Sequence, residues 1–280
     1  MKLSRLPLAV LTVAALCGAA VAQDEKQAPI AFAGGTLTIT ETPDMDKILA
    51  FDGKELARNY VVYFNQVAKI NGIDVALFDV GDGGNACGPA KVMVWKPADG
   101  DGAIKKASIG EDDCGAPTMA INEDALYFVP WLLPGGAAPV KKWSPLHGFS
   151  LAGNLTYMAE PGTGWKDIDP ARYDNIIDAF HNEAVYKAAR SLLGDRLNDV
   201  TTSLLVGGGT EKTASGIIYA SGCVPHDCGG NDGFMAIDAK GAKLYFAREG
   251  DKKEPEAWPA LKTWPADLRA AMAKAFAPPQ

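Results

Sequence analysis

Ile217-Ile218-Tyr219-Ala220-Ser221-Gly222-Cys223-Val224-Pro225-His226-Asp227-Cys228-Gly229-Gly230 reads as a strand running into a turn that holds a histidine between two cysteines. The β-branched and aromatic residues at 217–219 favour an extended chain, and the paired glycines after Cys228 mark a turn. Four residues separate Cys223 from Cys228, so a disulfide can close the six-residue loop, and Pro225 removes a further backbone freedom inside it. His226 is then presented on a stiff projection, suited to entering a cleft on another molecule. An ordinary structural disulfide would use the same residues, so the surrounding chain has to decide.

Working outward, Phe234–Ile237 and Lys243–Ala247 predict a hairpin about Asp238–Gly241, and Pro265–Phe276 predicts an amphipathic helix opening at a proline. Upstream, Gly207-Gly208-Gly209 marks a turn. Asp169-Pro170 offers an N-cap with a first-turn proline; Ile176, Ile177 and Phe180 suit one helical face, continued by Val185–Leu193. Gly194 should stop that helix, and Asp195 can cap a short next one. The expectation for residues 165–280 is an α+β domain, an antiparallel sheet flanked by helices.

The pattern changes near Pro161-Gly162-Thr163-Gly164, which reads as a boundary. Residues 36–160 have β character throughout, with candidate strands at Thr36–Thr40, Tyr60–Phe64, Val75–Val80, Lys91–Trp95 and Ala125–Val129 separated by Gly, Asp, Asn and Pro clusters. This predicts a mainly antiparallel β domain, sandwich or barrel-like. Residues 23–35 read as a polar linker. There is no internal repeat between the two domains.

The amino terminus carries an export signal. Lys2 and Arg5 form a basic region, Leu6–Leu16 an apolar core, and Ala20-Val21-Ala22 a small-residue site, so residues 1–22 are expected to leave by cleavage after Ala22. The apolar stretch is short for a membrane span, and no later run is long enough for one. Cys17 would leave with the signal. Cys87, Cys114, Cys223 and Cys228 remain, an even count that predicts disulfides in an oxidising compartment; four cysteines allow three pairings. The proximity of Cys223 to Cys228 selects that pair and leaves Cys87 to Cys114.

Without Lys2 and Arg5 the chain has 25 basic and 34 acidic residues, a net charge of −9. Nucleic acid and anionic lipid surfaces are therefore poor partners, and a basic protein is a permitted one. Residues 23–169 carry 12 basic and 20 acidic residues, against 13 and 14 in residues 170–280, which places the acid excess away from the His226 loop.

Motifs elsewhere fail on their own chemistry. His147-Gly148-Phe149-Ser150-Leu151-Ala152 lacks the second glycine and the following helix of a nucleophile elbow, so an enzyme built on His147 and Ser150 is disfavoured. In Gly207-Gly208-Gly209-Thr210-Glu211-Lys212-Thr213 a carboxylate precedes the lysine, where it would repel phosphate. Asp79–Asn85 spaces oxygen-bearing side chains but lacks the distal bidentate Glu of a calcium loop. Cys223, His226 and Cys228 supply only three zinc ligands, and oxidation favours the disulfide. His181 lies beside an apolar face and reads as a helix-surface or packing residue. No cofactor or metal is implied, and the expectation is a protein that is not an enzyme.

At the cysteine loop the chain resembles the family of the inhibitor of vertebrate lysozyme, Ivy. That family carries Cys-Lys-Pro-His-Asp-Cys after a strand, and here Cys223-Val224-Pro225-His226-Asp227-Cys228 follows Ile217–Gly222. The resemblance covers about residues 171–276. It implies a periplasmic protein that enters the cleft of a c-type lysozyme or another muramidase, the loop histidine bonding both catalytic carboxylates. By position that histidine is His226, with Asp227 as a secondary partner and Cys223–Cys228 as the brace. Val224 stands where the family has lysine, which removes a cation facing an acidic cleft. The resemblance also implies a possible homodimer. The N-terminal part is similar to uncharacterised β domains of exported bacterial proteins. The competing reading is an envelope module that binds a lytic transglycosylase or peptidoglycan.

Overall fold

The computed structural model describes residues 27–83, 87–98, 102–112, 115–249 and 254–277. The expected signal peptide, Asn85, Cys114 and part of the Pro97–Gly102 turn lie outside them. The chain forms two domains, the first almost wholly antiparallel β and the second an antiparallel sheet with helices.

The first domain contains three successive four-stranded meanders. Sheet one is β1 (Ile30–Phe32), β2 (Gly35–Glu41), β3 (Lys47–Phe51) and β4 (Lys54–Asn59); sheet two is β5 (Val61–Ile70), β6 (Ile73–Gly81), β7 (Ala90–Trp95) and β8 (Lys105–Ile109). Sheet three is β9 (Thr118–Ile121), β10 (Leu126–Val129), β11 (Ala137–Ser144) and β12 (Gly148–Thr156), with β12 at one edge. Successive residues of a strand point to opposite faces, and the middle sheet is apolar on both. Ala76, Phe78, Val80, Val92 and Val94 join Phe32, Leu37 and Leu49 of sheet one in one core. Val75, Leu77, Met93 and Trp95 join Leu126, Phe128 and Trp143 of sheet three in a second core. The architecture is thus three packed sheets; it is a layered sandwich without closure into a barrel. The linker reading of residues 23–35 is corrected at its end: Ile30–Phe32 is a strand, and Phe32 is buried because it seals the first core.

The second domain is built on β15 (Ile218–Cys223), β16 (Asp232–Asp238), β17 (Lys243–Arg248) and β18 (Glu256–Trp258). The short β13 (Val206–Gly207) and β14 (Glu211–Lys212) both pair with β15. One face of this sheet, with Met235, Ile237, Leu244 and Phe246, packs on Phe180, Val185, Ala189 and Leu193 from the helical side. The other, with Phe234, Ala236, Tyr245 and Ala247, packs on Trp264, Leu268 and Met272. The helices are α1 (Glu183–Leu193), α2 (Leu197–Thr202) and α3 (Ala266–Ala275).

The helix start is also corrected. Asp169 does cap a turn, accepting from the Ala171 N–H at 3.1 Å, but Pro170–Arg172 is a single 3-10 turn and the chain is extended again at Tyr173. Ile176–His181 is a second 3-10 stretch whose apolar residues meet the core at three- and four-residue spacing. The α-helix begins only at Glu183, where the Asn182 side chain accepts from the N–H groups of Ala184 and Val185. Gly194, at φ +55°, ends it.

Candidate functional site

The Cys223–Cys228 loop is the connection of the β15–β16 hairpin, whose ladder ends in the Cys223–Asp232 pair. The hairpin is anchored because its apolar residues are shared between the two cores, Ile218, Ala220, Met235 and Ile237 on one face, Ile217, Phe234 and Ala236 on the other. Gly222 and Gly233 let neighbouring backbone approach: a Cβ on Gly222 would lie 2.8 Å from the Leu204 carbonyl oxygen, and one on Gly233 2.5 Å from that of Ser203. The base of the loop is therefore held on both strands.

Cys223 is buried, Val224 half-buried, and Pro225 to Gly230 are exposed. Cys223 and Cys228 form a disulfide. The Asp227 N–H donates to the Val224 carbonyl at 3.0 Å, so Val224-Pro225-His226-Asp227 is a β-turn. His226 has φ +66° at its third position. Proline fixes a negative φ at the second position, and a positive φ at the third then specifies type II, where glycine or asparagine is usual. A histidine therefore occupies a left-handed site that sterics disfavour, at the apex of a disulfide-closed loop.

Further bonds close the loop from below. Asn231 N–H donates to the Asp227 carbonyl and Val224 N–H to the Asn231 carbonyl, each at 3.3 Å; the Asn231 amide donates to the Asp227 carboxylate; Gly229 N–H donates to Asp232 Oδ1 at 2.7 Å. Asp227 thus braces the turn beneath His226. The acid excess that the sequence places in the other domain has a local counterpart here. Asp227 and Asp232 bond within the loop base, Glu249 lies beside Asp232, and the Arg248 guanidinium reaches Asn231 at 3.5 Å and Asp199 at 3.9 Å. Partial burial, and secondarily Asp232, push the Glu249 carboxyl above its usual range. Sequence counting missed this because Asp199 and Glu249 lie far from the loop in the chain.

Other candidates are dispersed. Ser150 lies on edge strand β12 and His147 in the turn before it, so the strand-to-helix elbow is not formed. Asp79 pairs with Lys91 and accepts from Asn65 at 3.0 Å, as a side chain tied into sheet two. Gly207 ends β13 and Gly208-Gly209 lead on to β14, along the edge of β15. His181 is exposed at the end of its 3-10 stretch. Cys87 is disulfide-bonded, and its expected partner Cys114 lies outside the described residues. Among the described residues no group of acidic, His or Cys side chains could hold a metal ion, and no helix is long and apolar enough to cross a membrane.

Comparison with known proteins follows the same division. Residues 184–278 match the model of the inhibitor of vertebrate lysozyme family. The C-terminal domain is similar to Ivy. Residues 33–156 match a distinct family, the Y4bG N-terminal domain. The chain is also 24% identical over 220 residues to the uncharacterized protein y4bG of Sinorhizobium fredii (strain NBRC 101917 / NGR234), covering 79% of this chain and 80% of that protein. The Ivy match contains the whole His226 loop, and the core beneath it extends upstream to Ile176 and Phe180.

Proposed function

We propose that this protein is a periplasmic inhibitor of a c-type lysozyme or another muramidase, acting by insertion of the Cys223–Cys228 loop into the enzyme's cleft. The observation that carries the reading is the exposed His226, held at φ +66° on a disulfide-closed turn within a region that matches the lysozyme-inhibitor family. A muramidase of the lysozyme type works with one protonated and one ionised carboxyl group across the glycosidic bond. A neutral imidazole has one acceptor and one donor nitrogen, so it can accept from the first and donate to the second while displacing the sugar. The turn loses little conformational freedom on binding, since disulfide, proline and three backbone bonds already fix it. Val224 contributes no cation; the acidic residues at the loop base suit a target with a basic rim.

The test is inhibition of chicken-type lysozyme by the oxidised protein, with His226→Ala in parallel. Inhibition by the wild type that the variant loses is the expected result. Absence of inhibition by both, or equal inhibition by both, overturns the assignment.

A second reading, an envelope module that binds cell-wall glycan, draws on a groove of about 650 Å3 in the first domain. Thr38, Thr40, Glu41 and Lys47 line it beside Tyr63, over whose ring the Lys47 ammonium sits at 5.1 Å. Retention on purified peptidoglycan without any enzyme, lost in Tyr63→Ala, would favour it.

A further inference from the structure

Two residues outside the cysteine hexapeptide hold the loop that it forms. Asn231 is half-buried where the loop rejoins β16. Its N–H donates to the Asp227 carbonyl and its carbonyl accepts from the Val224 N–H, so it is tied to both ends of the Val224–Asp227 turn. Its side-chain amide donates to the Asp227 carboxylate, and its side-chain oxygen accepts from the Arg248 guanidinium at 3.5 Å. Only one orientation of the amide serves an acceptor on one side and a donor on the other. Arg248 lies on β17 opposite Gly233, and its other terminal nitrogen is 3.9 Å from Asp199 of α2. The contacts therefore run from α2 through β17 to the residue that follows His226. Arg248 is not placed there for stability alone. Its side chain is 27% exposed, and its Nε is shielded from solvent with no hydrogen-bond partner among the described residues. A buried donor left unpaired destabilises a fold, whereas a planar, charged fork is suited to reaching helix and loop at once.

We propose that Asn231 and Arg248 are positioning residues of the inhibitory loop. Arg248 orients the Asn231 amide, the amide fixes Asp227, and Asp227 sets the direction in which His226 leaves the turn. Neither residue has to touch the target. The consequence for lysozyme rests on the loop-insertion reading, while the consequence for the free loop stands apart from it. Asn231→Asp is the informative change, because it keeps the shape and removes the donor. At pH 7 the new carboxylate faces that of Asp227, with Asp232 and Glu249 adding negative charge nearby and Arg248 shared with Asp199. At pH 4.5 a proton held between the two carboxyl groups restores a donor to Asp227.

Two measurements on the purified oxidised protein test this. In the free protein at pH 7, the NMR order parameters of the Val224 and Asp227 amides should fall in Asn231→Asp from the rigid value of about 0.85 towards about 0.6. Against chicken-type lysozyme, Asn231→Asp should raise the dissociation constant at least about tenfold at pH 7 and less than about threefold at pH 4.5, each relative to wild type at the same pH. Arg248→Met should raise it about threefold or more at both, with Arg248→Lys in between and circular dichroism unchanged in all three. Order parameters and affinities that match the wild type, or an Asn231→Asp defect of the same size at both pH values, would overturn the positioning role. A wild type that does not bind lysozyme, with the loop still loosened in Asn231→Asp, would overturn the loop-insertion reading instead.

Discussion

At His226 the backbone and the side chain make opposing demands. A φ of +66° behind a proline is a site for glycine or asparagine, yet an imidazole stands there. Replacing His226 by Gly should leave stability unchanged or raise it by up to about 1 kcal/mol, because glycine bears no Cβ in the left-handed region. Asparagine also tolerates that region, so His226→Asn is a conformationally matched control. Both variants are expected to bind lysozyme at least about 30-fold more weakly, as loss of a central anchor costs about 2 kcal/mol or more. Urea unfolding and inhibition titrations separate the two effects. The sequence showed this histidine and its cysteines directly, since their spacing is local. It could not show the torsion, nor the bond by which Asn231 holds Asp227.

Asp267 makes a second residue-scale point. Its carboxylate accepts from the Ser215 hydroxyl at 2.6 Å, the Ser215 N–H at 3.0 Å and the Leu268 N–H at 2.9 Å. These bonds, the Ser215 hydroxyl first, hold its pKa down to about 2 from 3.8. A folded-state value below the unfolded one means that the stabilisation is complete above the unfolded pKa and is lost as pH falls through the folded one. Melting temperatures followed from about pH 5 down to pH 2 should therefore drop less steeply in Asp267→Asn than in the wild type. An unchanged slope would exclude this contact as an acid-labile one.

Among the elements, the hairpin β16–β17 and helix α3 were readable in the sequence because apolar run, turn and terminal proline agree. The start of α1 was not. Asp169-Pro170 satisfies every local rule for a helix opening, but the extended backbone at Tyr173 breaks the chain, and buried Asn182 provides the functioning cap. Ile176, Ile177 and Phe180 are compatible with either helix type, so spacing could not arbitrate. Asn182→Ala should cost about 1–2 kcal/mol, measured by denaturant unfolding, whereas Asp169→Ala should cost distinctly less. For the loop itself, the double change of Cys223 and Cys228 to Ser should lower stability by about 2 kcal/mol in the chain-entropy model. Inhibition should weaken as well, because the freed loop must be ordered on binding.

Across the whole molecule, the division of labour is between a three-sheet domain and the domain that presents the loop. Phe78 is fully buried in the first core, so Phe78→Ala should destabilise the N-terminal domain by about 3–5 kcal/mol while leaving lysozyme inhibition at the wild-type level under folding conditions. Paired calorimetry and inhibition assays check this. Only part of the architecture was legible here. Strands of the middle sheet read as continuous apolar runs, which is the mark of burial on both faces, and β6 and β7 were found. Strands such as β4 and β12 are short of apolar pattern or exposed throughout, so their presence is decided by pairing with neighbours.

The sequence by itself determined the two-domain division, the α+β and β classes, and the residues of the projecting loop, since each of these is written in local order and spacing. Only the tertiary structure decided that three sheets stack without closing, that the helix begins at Glu183, and that Glu249 lies beside Asp232 while Arg248 reaches both Asp199 and Asn231. Those outcomes depend on which distant segments share a core or a strand edge, and local propensity carries no record of such partners.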